Sequence, residues 1–95
     1  MKKQEALKIL EEELQKYRDK SYAELKLLLE IKEKIRYEVV GPSGDTYHIE
    51  IQIFWDNKHD HDVRVLGAID AGGWREIFPL CDAFIMTPEG DFIDK

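Results

Sequence analysis

Cysteine and serine are scarce in this chain of 95 residues, and each scarcity excludes something. The single cysteine, Cys81, closes no internal disulfide, so the fold rests on packing, and a reducing cytosol is permitted. The two serines, Ser21 and Ser43, fall in a helix-start pattern and a turn, so neither reads as a nucleophile. No apolar run approaches the roughly 18–20 residues that cross a bilayer. No glycine-rich loop opens a helix, which excludes a phosphate-binding loop and a dinucleotide fingerprint. The first residues are basic but lead into neither an apolar stretch nor a small-residue cleavage site, so the expectation is a mature chain starting at Met1 in the cytoplasm.

Charge is plentiful and uneven. Residues 1–34 carry nine basic and eight acidic side chains, whereas residues 35–95 carry five and twelve, within a net charge of −6. An acidic C-terminal two-thirds repels phosphate backbones and anionic lipid, so neither nucleic acid nor membrane is the expected partner.

Two hydrophobic periods divide the chain. Leu7, Leu10, Leu14 and Tyr17 recur at helical steps, with Ile9 widening that face. The helix is expected to stop near Asp19-Lys20, because "SYAE" from Ser21 to Glu24 is a capping box in which hydroxyl and carboxylate each satisfy a backbone amide. Tyr22, Leu25, Leu28 and Leu29 continue as a second helix. From residue 33 the period becomes two. In "TYHIEIQIFWD", Tyr47, Ile49, Ile51, Ile53 and Trp55 face one way, while His48, Glu50 and Gln52 face the other. "KIRYEVV" is its hairpin partner across "GPSGD", where Pro42 presets φ and Gly44 supplies the left-handed position. "TPEGD" repeats that turn grammar near the C-terminus. "VRVLGAID", "WREIF", "AFIM" and "DFI" supply the remaining strands, with a Gly72-Gly73 bend and a stop at Pro79. Strand–helix–strand alternation is missing, which disfavours parallel crossovers. The expected architecture is α+β: one domain over 1–95, with a helical hairpin at 1–31 on one face of an antiparallel meander of about five to six strands at 33–95.

Candidate sites are few. "WDNKHDHDVRV" gathers His59, His61 and three aspartates. A His-x-His pair on extended chain can share one metal, with Asp56 as a third donor, but a structural zinc needs four ligands. His48 lies eight residues from Asp56, about 26 Å along a strand, and cannot complete the set. The simpler expectation is a polar turn, with no metal and no cofactor. Close carboxylates would also favour protonated histidine there. Cys81 in "PLCDAF" reads as a partly buried, inert thiol with no base close in sequence. Trp74, Arg75 and Phe78 bring together residue types that concentrate binding energy at partner surfaces, although the alternation of "WREIF" also fits a core tryptophan.

The segments Tyr37–Glu50, Gly67–Trp74 and Pro79–Phe92, with their "GPSG" hairpin, "IDAGGW" bend and closing "FIMTPEGDF", resemble a family of small uncharacterised bacterial proteins. The resemblance covers about the C-terminal two-thirds and implies no activity. The combined expectation is a non-catalytic module that binds another protein or itself. The alternative is a small-ligand or metal-responsive domain using the sheet face and the His59/His61 loop.

Overall fold

The change of period from 3.6 to two is the boundary between the layers of this protein. A computed structural model describes residues 3–31, 34–70 and 80–93. The helices are α1, Lys3–Arg18, and α2, Tyr22–Ile31. The strands are β1, Lys34–Val40; β2, Thr46–Trp55; β3, Val63–Asp70; β4, Leu80–Met86; and β5, Phe92–Ile93. All neighbours pair antiparallel in the order β1-β2-β3-β4-β5, so the described sheet is a five-stranded meander with the helices on one face. The "WREIF" segment, expected as a strand, lies outside the described residues.

The joint between the helices is the capping box read from sequence. Ser21 Oγ accepts from the Glu24 amide, and Glu24 Oε1 accepts from the Ser21 amide, both at 3.1 Å. The exchange holds the Glu24 carboxyl below its usual range, chiefly through the Ser21 backbone bond. Both Pro-x-Gly-Asp segments form one kind of turn. Gly44 and Gly90 donate to the carbonyls of Gly41 and Thr87, at φ +92° and +89°. Gly41 and Thr87 then donate at 2.8 Å to Asp45 and Asp91, the pattern of a type I turn closed by a glycine bulge.

The core lies between the helices and the odd-numbered side of β2 and β3. Tyr47, Ile49, Ile51 and Ile53 are buried there with Val63, Val65 and Ile69. Gly67 continues that side, and the missing side chain lets Leu10 and Leu14 of α1 descend onto the strand. The buried face of α1 is turned from the one expected. Leu7 is 42% exposed, while Ala6 and Glu13 are buried beside Ile9, Leu10, Leu14 and Tyr17. Glu13 can occupy an inward position because Tyr37 Oη donates to it at 2.8 Å and Lys16 Nζ lies 3.0 Å away. A buried carboxylate with those partners loses little of the interaction it had with water.

Candidate functional site

Alternation along the strands gives the sheet a second face, opposite the one on which the described helices pack their buried residues. Register places Lys34, Arg36 and Glu38 on it from β1, and His48, Glu50, Gln52 and Phe54 from β2. β3 adds Arg64, Leu66, Ala68 and Asp70, and β4 adds Cys81, Ala83 and Ile85. Polar and apolar residues separate across this face. Toward β3 and β4 it is mostly apolar, with Phe54 37% exposed at its border, whereas β1 and the neighbouring part of β2 are charged.

The charged half is organised in rows across the strands. In one, Arg36 Nε donates to Glu50 Oε1 at 2.9 Å, and that bond draws the Glu50 carboxyl below its ordinary range. In the next, His48 stands between Glu38 and Asp70 in register, its Nδ1 3.4 Å from Glu38 Oε2. These residues border a shallow depression of about 360 Å³. Sequence reading sets His48 aside because it is far from the other histidines. The signal that locates it is the hairpin register, which puts Glu38 opposite it.

Cys81 is exposed, correcting the expected partly buried thiol. Its apolar neighbours Leu80 and Ala83 do not cover it, because its own position in the alternation turns to the second face opposite Ala68. His48 lies two strands away and one row along, at least about 10 Å, too far to act as its base.

The His59/His61 loop is a clamp for α2. Tyr22 Oη donates to the His61 carbonyl at 2.6 Å, and Lys26 Nζ meets Asp60 Oδ1 at 2.9 Å. Asp60 adopts φ +66°, a left-handed conformation that aspartate tolerates better than most residues. The His59 ring lies 5.0 Å from that of Trp55, with Nδ1 2.9 Å from Asp60 Oδ2. Asp56 turns back to Arg64, 2.7 Å from one guanidinium nitrogen. His59 and Asp56 thus have separate partners and His61 is held through its backbone carbonyl, and among the described residues no group of three or more His, Cys, Asp or Glu converges as a metal site. Trp74, Arg75 and Phe78 lie outside the described residues. No helix among the described residues is long and apolar enough to cross a membrane.

The two aspartate contacts differ in burial, and that orders their contributions. The Asp56 side chain is 5% exposed and that of Asp60 is 55% exposed. Asp56→Ala is expected to lower the melting temperature more than Asp60→Ala, because a shielded pair loses more than a solvated one. The Asp60 carboxyl is held low first by its bond from Lys26. Its contribution is accordingly present above the unfolded carboxyl range and lost as pH falls through the lowered value. Thermal unfolding of both variants at neutral and acid pH checks the order; equal losses would remove the burial argument.

No family model, curated protein or solved structure matches the chain.

Proposed function

We propose that this chain is a non-catalytic protein-binding module whose contact surface is the second face of its sheet. The observation that carries the reading is the division of that face, with Phe54, Leu66, Ala68 and Ala83 on one side and paired charges on the other. An apolar area bordered by polar residues is what a protein interface buries and leaves at its edge, and here the charged rows of β1 and β2 form that border on one side. Ion pairs satisfied within the chain are suited to fixing the orientation of a docked partner. The net charge of −6 favours a polypeptide partner over a phosphate backbone.

The test compares proteins retained from host lysate by the wild type and by Phe54→Glu and Leu66→Glu. Phe54 is 37% exposed, so Phe54→Glu is expected to change melting little, whereas Leu66 is half-buried on the central strand. Circular dichroism and melting establish that each variant is folded before its retained set is compared. A partner retained by the wild type and lost by both variants supports the reading. An unchanged retained set, or none with the wild type, sinks it.

A further inference from the structure

The outer edge of β1 is a different surface from the sheet face, and its sequence is self-complementary. We infer that two copies of this chain associate by antiparallel pairing of β1 with β1, joining their sheets into one. Among the described residues, no strand pairs with the outer edge of this seven-residue strand.

The direction of the backbone groups follows from the turn. Gly41 donates inward to Asp45, so by antiparallel alternation Val39, Tyr37 and Ile35 exchange their bonds with β2. Lys34, Arg36, Glu38 and Val40 therefore direct their amides and carbonyls outward. A second copy must set these four against their own counterparts.

Side chains then select the register. Centring the two-fold axis on Tyr37 pairs every residue of β1. It sets Arg36 against the partner's Glu38 and Glu38 against the partner's Arg36, with Lys34 opposite Val40 at both ends. Moving the axis to Arg36 opposes two arginines and leaves Val39 and Val40 unpaired, although it sets Lys34 against the partner's Glu38. Moving it to Glu38 opposes two glutamates. Only the Tyr37 register gives opposite charges with no like-charge pair and uses the whole strand. Directly opposed like charges destabilise a strand pair, whereas opposite charges support it. The favoured register also extends the existing row: Glu50 and Arg36 of one copy continue into Glu38 and His48 of the other.

The helix side of the edge agrees. Ile35, Tyr37 and Val39 remain half-buried, although the residues opposite them on β2 are fully buried. In the same register Ile35 packs beside Val39 of the other copy, and the two Tyr37 rings become neighbours. One placement therefore matches charge on one face and apolar surface on the other.

The test uses two charge variants of the full chain, R36E and E38R. Sedimentation of the wild type from micromolar to millimolar concentration is expected to show a monomer–dimer equilibrium. Each variant alone sets like charges opposite one another twice, so its dissociation constant should rise by about tenfold or more. Mixed together, the R36E copy turns two glutamates toward two arginines of the E38R copy, and the two should form a heterodimer. The double variant R36E/E38R should dimerise as the wild type does, which separates this register from the one centred on Arg36. Melting curves establish that each variant is folded. As a second route, E38P removes an outward amide without touching the β2 ladder and should give a folded monomer. A wild type that stays monomeric, variants that dimerise unchanged, or a mixture that associates no better than its components would each overturn the inference. F54E leaves the β1 edge intact, so loss of a partner through the sheet face and loss of the dimer are separate outcomes.

Discussion

Replacing Gly67 by valine is expected to lower the melting temperature by on the order of 10 °C, from an overpacking loss of about 1–3 kcal/mol in a domain of this size. A side chain begun at Gly67 would meet Leu10 Cδ1 and Leu14 Cδ2 at 3.0 Å and Leu14 Cγ at 3.2 Å. Its Cβ alone already crowds both leucines, and valine adds two more carbons pointing into α1. Leu10 and Leu14 are essentially fully buried, so they have no solvent to move into. The helix must lift or the strand must bend. Valine otherwise suits a strand better than glycine, so any loss measures packing and not backbone preference. The companion variant is Leu14→Ala, which removes three carbons from the same place and alone should cost about 2–5 kcal/mol. In the double variant these changes offset each other in volume, and its loss should fall well short of the sum of the two. Thermal unfolding of the three proteins decides it. Additive losses would mean that α1 does not rest on Gly67.

Much of this fold is legible because its local signals agree. The period of two in "TYHIEIQI" names the buried side of β2 residue by residue, and Ser21 with Glu24 marks the start of α2. The Pro-x-Gly-Asp repeat identifies two turns of the same geometry. Each of these depends on residues within a few positions of one another. Contacts that cross the chain are beyond such reading. Leu7 is apolar at a helical spacing, yet α1 turns toward Ala6 and Glu13, because Tyr37 supplies a hydroxyl to Glu13 from 24 positions away. Gly67 reads as an ordinary weak point in a strand until α1 is laid over it. The His59/His61 loop resembles a ligand set on paper because its true partners, Tyr22 and Lys26, belong to a helix more than thirty residues earlier. The second face of the sheet combines both situations: alternation identifies its members, while the pairing of Arg36 with Glu50 and Glu38 with His48 requires the register.

Glu5 is the position where an ordinary-looking surface residue is expected to matter most. It belongs to the first turn of α1, yet its carboxylate reaches the β1–β2 turn, accepting from the Ser43 amide at 3.1 Å and the Ser43 hydroxyl at 2.7 Å. Tyr47 Oη donates to the same carboxylate at 2.6 Å, and that tyrosine is completely buried. Three donors on one carboxylate fasten the start of the helix to the sheet. Bonds of this kind to an ionised acceptor contribute about 1.5–3 kcal/mol, so Glu5→Ala should lower stability by about that amount. The same contact has an alkaline signature. Burial, followed by the bond to Glu5 and its charge, pushes the Tyr47 hydroxyl up to about 12. A tyrosine whose folded value is raised contributes its full share of stability below its unfolded value, about 10, and loses that share as pH rises from there through 12. Tyr37 is also raised, first by burial and then by its bond to Glu13, so the wild type should lose stability steeply across this window. Glu5→Gln keeps an acceptor but removes the charge, which should bring Tyr47 toward its ordinary value and make the alkaline loss shallower. Tyr47→Phe removes that titration altogether. Urea unfolding at several alkaline pH values, paired with tyrosinate absorbance, measures both effects. If wild type, Glu5→Gln and Tyr47→Phe lose stability with the same slope, Glu5 does not govern this tyrosine and the clamp is only a surface contact.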